Sequence, residues 1–195
     1  MIKAVIFDFG GVLGFNGTLY EDISTILGKT TEDIRWALGK NVESFQIGEI
    51  DESRFWECLC RDLHLPTELA YQGQIQRFYA AKFNLNQDML KFAERLRDMK
   101  LITAVLSNTI PPHFNVWQPY VDKFSPIVTS FEARARKPQE KIYELAIRSL
   151  RISENEAIYI DDIQEFLEPA SRLGLMPIHF KNSEQVQADV LKAII

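Results

Sequence analysis

The sequence predicts a doubly wound α/β protein, in which helices cover both faces of a parallel β-sheet. Three observations carry this prediction. Short apolar segments that end in polar residues recur along the 195-residue chain, helical patterns separate them, and one long helical stretch interrupts the alternation. Strands that alternate with helices pair in parallel, because each helix returns the chain to the starting edge of the sheet.

Five segments are candidate buried strands. Residues 2–7 are apolar and rich in Ile and Val, and they lead into Asp8 and a glycine-rich segment. A short apolar run that ends in such a loop is typical of a strand buried on both faces. The other four candidates share this form and cover residues 102–106, 127–129, 157–160 and 176–180.

Apolar side chains at helical spacing predict the helices between these strands, over residues 88–99, 138–150, 164–173 and 183–194. Pro138 is expected at the first helical position of its helix, where a missing N–H does no harm. Gly174 is expected to end the next helix in a left-handed conformation. Pro169 lies inside that helix, so we expect the helix either to start only a turn before Pro169 or to be kinked there.

Residues 15–83 break the alternation, because their strand signal is weak and helical spacing recurs, as over 51–63 and 67–81. We predict a small helical domain inserted after the first strand. The predicted domains are thus a core of residues 1–14 and 84–195 and an insertion of residues 15–83. Tyr20, Trp36 and Arg77 are candidates within the insertion for contact with a ligand, and their spacing does not select among them.

Composition excludes several classes of protein. A formal net charge of −5 without an extended basic run argues against a nucleic-acid partner. The apolar runs are far shorter than the ~20 residues that span a bilayer, and the N-terminus lacks the pattern of a signal peptide. Cys58 and Cys60 are too few for a disulfide framework. We expect a soluble cytoplasmic protein with no membrane or nucleic-acid partner, and its oligomeric state stays open.

Polar side chains follow three predicted strands at the edge where open parallel sheets place their sites. A lysine directly before a proline joins them, at the start of a predicted helix. These residues are Asp8, Ser107, Asn108, Lys137, Asp161 and Asp162.

This set suits phosphate chemistry. Asp8 and the acidic pair, brought together, would form a hard-oxygen site for Mg²⁺, and a carboxylate can attack phosphorus to give an aspartyl-phosphate. Ser107, the backbone N–H of Asn108 and Lys137 would hold the transferring oxygens. Gly10 and Gly11 follow Asp8 and would let backbone N–H groups approach the phosphate.

In these segments the chain resembles the haloacid dehalogenase superfamily of hydrolases. The matching motifs are IFDFGGVL at 6–13, VLSNT at 105–109, RKP at 136–138 and IYIDD at 158–162. The resemblance covers nearly the whole chain and implies a Rossmann-like three-layer α/β/α core with a small helical cap domain. The SNT tripeptide followed by His113 and Trp117 is similar to a bacterial sugar-phosphatase branch of the superfamily.

The resemblance also implies roles for single residues. Asp8 would be the nucleophile and a metal ligand, together with the carbonyl of Gly10. Asp162 would ligate the metal directly, with Asp161 beside it. Lys137 would act in catalysis by keeping Asp8 ionised, since a nearby cation favours the charged form. The phosphate-binding set would comprise Gly10, Gly11, Ser107, Asn108 and Lys137.

Two departures from the family pattern are visible. Gly10 stands where family phosphatases usually carry a second aspartate, which protonates the leaving group. Ile163 and Phe166 stand where polar residues usually orient the metal ligands. His113 and Trp117 are candidates to lean over the pocket.

The leading prediction is a Mg²⁺-dependent phosphatase that acts on a small phosphorylated metabolite through an aspartyl-phosphate, with a sugar phosphate as the best single choice. The departures leave two alternatives open. One is a catalytically impaired protein of the same fold that binds phosphate or a partner. The other, less favoured, is a haloacid dehalogenase, which also uses an aspartate nucleophile but needs no metal.

Overall fold

The structure, a computed structural model, describes residues 1–16, 19–73 and 83–194. Its strands in chain order are β1 (Ala4–Phe7), β2 (Gly14–Asn16), β3 (Phe83–Leu85), β4 (Ile102–Ser107), β5 (Ile127–Thr129), β6 (Ala157–Asp161) and β7 (Met176–His179). Five of them form a parallel sheet in the order β5-β4-β1-β6-β7. The predicted fold class is therefore confirmed.

Helices connect these strands. They are α1 (Leu19–Leu27), α2 (Thr31–Gln46), α3 (Glu52–Asp62), α4 (Gln87–Asp98), α5 (Pro111–Trp117), α6 (Ser130–Ala133), α7 (Glu140–Leu150), α8 (Gln164–Arg172) and α9 (Ser183–Ile194). Short 3-10 helices occur at Thr67–Tyr71, Gln118–Tyr120 and Glu154–Glu156. None of the helices that the structure describes has the length and apolar character needed to cross a membrane.

The parallel sheet has two buried faces, because the side chains of each strand alternate between two cores. Along β1, Val5 and Phe7 belong to one buried cluster, whereas Ala4 and Ile6 belong to another. Apolar side chains of α4 and α9 complete the first cluster, and those of α7 and α8 complete the second. The result is a three-layer α/β/α arrangement.

The insertion has a core of its own, in which α1, α2 and α3 pack on one another. The sequence predicts little strand structure over 15–83, and in the described part of that range only the ends of two three-residue strands occur. There β2 and β3 pair antiparallel, with Gly14 opposite Leu85. Three-residue strands are too short to show a period of two, so the pattern could not indicate them. The exact bounds of the cap domain stay a prediction.

Helix α7 begins later than predicted. Pro138 is not its first residue, because a turn precedes the helix: the N–H of Gln139 donates to the carbonyl of Arg136 over 2.8 Å. Gln139 then caps the helix from an extended backbone conformation, and Glu140 is the first helical residue.

Two other predicted helices concern α8 and residues 67–81. Helix α8 begins at Gln164, little more than one turn before Pro169, as predicted, and continues through the proline, whose neighbours Leu167 and Ala170 are buried in the core. The helix predicted over 67–81 is a 3-10 helix in its described part, and residues 74–82, including Arg77, lie outside the described residues.

Two glycine substitutions, with expected changes of opposite sign in the free energy of unfolding, test the assigned backbone conformations. Gly174 ends α8 at φ +92°, and a Cβ there would lie 2.7 Å from Glu154 Cγ. Gly174→Ala should therefore lower the free energy of unfolding by about 1–2 kcal/mol. Gly39 lies inside α2 with no heavy atom within 4 Å of its Cβ position. Gly39→Ala should raise the same quantity by about 0.5–1 kcal/mol.

Denaturant unfolding of the two variants measures both effects. Equal signs for the two substitutions would contradict the assigned backbone conformations.

Candidate active site

The site lies at the carboxyl edge of the parallel sheet, and the register of two adjacent strands creates it. Phe7 at the end of β1 lies beside Ile160 of β6, so Asp8 and Asp161 follow side by side. The Nζ of Lys137 lies between them, 2.8 Å from Asp8 Oδ1 and 2.7 Å from Asp161 Oδ2. All three side chains are buried, and Asp8 is only 5% exposed.

Asp161 is held by more than this lysine. Its Oδ2 also accepts a hydrogen bond from the hydroxyl of Tyr159, and its Oδ1 accepts one from the backbone N–H of Ile163 over 2.9 Å. Tyr159 lies two residues before Asp161 on the same strand, so both side chains point to the same face. This spacing was visible in the sequence and could have indicated Tyr159 as a site residue.

Asp162 completes a group that we call the carboxylate cluster: Asp8, Asp161 and Asp162. Each residue offers one oxygen, and the three oxygens lie within 4.8 Å of one another. Asp162 is half-buried. When all three carboxylates are ionised, the single ammonium of Lys137 leaves a local charge of about −2, which a buried site does not tolerate without further compensation.

The pKa values reflect this excess of negative charge. The pKa of the Asp8 carboxyl is raised to about 7, first by burial and then by the charges of Asp161 and Asp162, against the opposing effect of Lys137. Burial also raises the pKa of Asp162. Burial acts to lower the pKa of Lys137, but Asp8 and Asp161 outweigh it and raise that pKa above its usual value.

Lys137 favours the ionised form of Asp8, as predicted, and burial of Asp8 opposes this effect.

The backbone of Lys137 is fixed by the loop that follows β4. The side chain of Asn108 accepts from the N–H of Lys137 over 2.8 Å and donates to its carbonyl over 3.0 Å. Ser130 fastens the same loop, since its hydroxyl accepts from the N–H of Thr109 and donates to the carbonyl of Thr109. The side chain of Asn108 is thus committed to Lys137, which leaves its backbone N–H for a ligand.

The two glycines after Asp8 have different surroundings. Gly11 has φ +75°, and a Cβ there would lie 2.2 Å from Asp162 Oδ2. Its N–H donates to the carbonyl of Gly14 over 2.9 Å and therefore holds the loop. Gly10 has no heavy atom within 4 Å of its Cβ position, so a side chain at residue 10 would project into open space.

Two adjoining cavities open at this edge of the sheet. The carboxylate cavity, about 270 Å³, is lined by Asp8, Lys137 and Asp162 among others. The histidine cavity, about 330 Å³, is lined by Ser107, His113, Trp117 and Phe15 among others. Both are also lined by Gly10 and Asn108. All the residues predicted to bind metal or phosphate, except the fully buried Asp161, thus line one of these two adjoining cavities.

Aromatic rings form much of the wall of the histidine cavity. Trp117 is 1% exposed and stacks on Phe9, with ring centroids 4.2 Å apart and planes 16° apart. Phe114 packs edge-on against Trp117. Trp117 is therefore a packed core residue that also reaches the cavity, whereas Phe15 is 40% exposed and offers a free aromatic surface.

Two polar residues of the carboxylate cavity, Gln46 and Arg136, were not predicted as site residues, although Arg136 belongs to the RKP motif. Gln46, the last residue of α2, lines it and accepts a hydrogen bond from Arg136 Nε over 3.1 Å. Arg136 also pairs with Glu43 of α2 at 2.5 Å. Tyr20 and Trp36 are engaged elsewhere, by Arg35 and Lys40 respectively. Which cap residue reaches the site depends on helix packing that no local pattern encodes.

Residues 2–174 match the model of a known protein family, described as haloacid dehalogenase-like hydrolase. The chain belongs to this family. The match spans four of the five strands of the parallel sheet, the insertion and every residue of the candidate site, so the predicted resemblance is confirmed at the level of the family.

Individual relatives of this haloacid dehalogenase-like hydrolase are distant. Phosphatase MT3486 of Mycobacterium tuberculosis is 26% identical over 98% of this chain and 93% of that protein. Bifunctional epoxide hydrolase 2 of the pig is 22% identical over 98% of this chain, which spans only 38% of that protein's length. The crystal structure of the enzyme BT-2542 from Bacteroides thetaiotaomicron, complexed with magnesium and inorganic phosphate, has a TM-score of 0.78 at 21% identity, covering 93% of this chain and 95% of that one.

The raised pKa of Asp8 gives a prediction for stability. A carboxyl whose pKa rises on folding, from about 4 to about 7, stabilises the folded state below pH 4 and loses that contribution as pH rises through this window. Asparagine at position 8 cannot ionise. The melting temperature of Asp8→Asn minus that of the native protein, both in chelator, should therefore grow between pH 5 and pH 8.

Thermal unfolding at both pH values measures this difference. Parallel curves for the two proteins would contradict the raised pKa, because all other titrating groups are common to both.

Proposed function

We propose that this hydrolase is a Mg²⁺-dependent phosphatase that acts on a small phosphorylated metabolite through an aspartyl-phosphate on Asp8. The observation that carries the proposal is the buried carboxylate cluster with Lys137 between two of its members. Two relatives support it: MT3486 is named a phosphatase, and BT-2542 was crystallised with magnesium and inorganic phosphate.

The cluster fits a magnesium ion in donor type and charge. Mg²⁺ prefers carboxylate, carbonyl and water oxygens, and a divalent cation would balance the local charge of about −2 that Lys137 leaves. Asp8, Asp162 and the carbonyl of Gly10 would hold the ion. Asp161 adds its charge, while its oxygens accept hydrogen bonds from the protein. The bound ion would offset repulsion between the Asp8 carboxylate and an anionic substrate.

Asp8 is oriented for attack. Its Oδ1 accepts from the N–H of Phe9 over 2.7 Å and from Lys137 over 2.8 Å, which leaves Oδ2 to approach phosphorus. A bond forms between Oδ2 and phosphorus as the ester P–O bond breaks. Attack by water on the aspartyl-phosphate then releases inorganic phosphate and restores the carboxylate.

The phosphate would be held at the point where the two cavities meet. The hydroxyl of Ser107 and the backbone N–H of Asn108 would donate to its oxygens, and Lys137 would supply positive charge. We infer that the leaving group is a sugar, because the histidine cavity combines the imidazole of His113 with the exposed ring of Phe15.

Hydrolysis of a nitrophenyl phosphate tests the proposed function most directly, because this leaving group scarcely needs protonation. Activity should require Mg²⁺ and should fall at least ~10³-fold in Asp8→Asn, which removes the nucleophile. Absorbance of released nitrophenolate, with Mg²⁺ and then with chelator, measures both requirements.

Folded native protein with no activity above Asp8→Asn would contradict the proposal and favour a role in binding. Release of halide from a 2-haloacid in the presence of chelator would favour dehalogenation instead.

Gly11→Ala tests the metal site without removing a carboxylate. Its Cβ would occupy the position of the Asp162 carboxylate and displace it. Gly28→Ala is a matched control, because Gly28 has φ +63° but no heavy atom within 4 Å of its Cβ position. Both variants should lose about 1–2 kcal/mol to backbone strain.

Only Gly11→Ala should also lose most of the rise in melting temperature that Mg²⁺ gives the native protein. The same rise in both variants would place the ion away from Asp162.

A further inference from the structure

The two cavities divide the reaction centre into a nucleophile side and a leaving-group side. Asp8 lines the carboxylate cavity, and Gly10 and Asn108 form the boundary that both cavities share. In phosphoryl transfer the attacking and leaving oxygens lie roughly in line on opposite sides of phosphorus. With phosphate at the boundary and Asp8 on one side, the leaving oxygen departs toward the histidine cavity.

An alkoxide leaving group needs a proton, and the carboxylate cavity does not offer one. Asp8 is the nucleophile, and Asp162 would hold the metal ion. Lys137 bridges Asp8 and Asp161. Arg136 is engaged by Gln46 and Glu43 of the insertion. Gly10 has no side chain. Each ionisable group among the described residues on this side of the phosphate is therefore committed or unsuited.

The histidine cavity holds one group of the required kind. Among its described lining residues, His113 alone carries a side chain that exchanges protons near neutral pH. It is the third residue of α5, which begins four residues after Ser107 at the end of β4. Trp117 follows four residues later, on the same helix face, and its packing against Phe9 fixes that face against the cavity.

We propose that His113 is a catalytic residue that protonates the leaving oxygen, an inference that rests on the phosphatase function proposed above. As the bond from Asp8 Oδ2 to phosphorus forms, the ester P–O bond breaks with its electron pair on the leaving oxygen. That oxygen takes the proton of the His113 imidazolium, and the alcohol departs. The neutral imidazole then accepts a proton from the water that attacks the aspartyl-phosphate, so the cycle closes.

Two substrates that differ in leaving group test this role. A nitrophenyl phosphate needs no acid, whereas a sugar phosphate does. His113→Asn should lower kcat on the sugar phosphate by ~10²-fold or more and on the nitrophenyl phosphate by less than ~3-fold. Asn115→Ala is the matched control, because Asn115 is an exposed residue of the same helix, and it should leave both rates unchanged.

A second variant provides a rescue. Position 10 has room for a side chain next to the same boundary, so Gly10→Asp offers a replacement acid. Combined with His113→Asn, it should restore most of the lost activity on the sugar phosphate.

The outcomes separate this proposal from the phosphatase function. If His113→Asn lowers kcat equally on both substrates, or on neither, His113 is not the acid. Activity of the native protein on nitrophenyl phosphate would still support the phosphatase function in that case. A native protein that hydrolyses nitrophenyl phosphate but no sugar phosphate would also overturn the role of His113. A native protein without Asp8-dependent activity on either substrate would remove the phosphatase function, and the role of His113 with it.

Discussion

The constraint on which the structure depends is the burial of two carboxylates, with a third half-buried, beside one ammonium group. Charges taken out of water are costly unless each finds opposite charge or hydrogen-bond donors. Asp161 solves this inside the protein, with donors from Lys137, Tyr159 and Ile163. Asp8 and Asp162 do not, and their raised pKa values express the remaining deficit. A bound cation would supply the missing positive charge, so the imbalance that weakens the metal-free protein would also favour the metal binding proposed above.

Much of the surrounding structure serves to hold this unfavourable arrangement in place. The parallel register sets Asp8 next to Asp161. The side-chain amide of Asn108 forms two hydrogen bonds with the backbone of Lys137, one as donor and one as acceptor. Gly11 leaves the space that the Asp162 carboxylate occupies. A site built on strand ends and backbone hydrogen bonds keeps its geometry better than one built on exposed loops alone.

The sequence predicted the sheet and the strand-end residues well, because both depend on local patterns. Apolar runs that end in Asp8 and Asp161 mark buried parallel strands whatever the rest of the chain does. It missed the pairing of β2 with β3 and the approach of Gln46, because these depend on how the inserted helices pack. It also did not indicate that burial of Asp8 opposes the effect of Lys137, since a sequence does not show how deeply neighbouring charges are buried.

The polar contacts between the insertion and the core contribute little to the free energy of folding, although they help to form the wall of the carboxylate cavity. Arg136 meets Glu43 and Gln46 of α2, but Glu43 is largely exposed and such a pair contributes no more than about 1 kcal/mol. The hydrogen bond to the neutral Gln46 adds a similar amount at most. The position of α2 over the carboxylate cavity is therefore set mainly by the apolar packing of the insertion and by the antiparallel strands that connect it to the sheet. Arg136 orients the side chain of Gln46 at the wall of the carboxylate cavity. The charge of that cavity comes from residues of the core, such as Asp8 and Asp162.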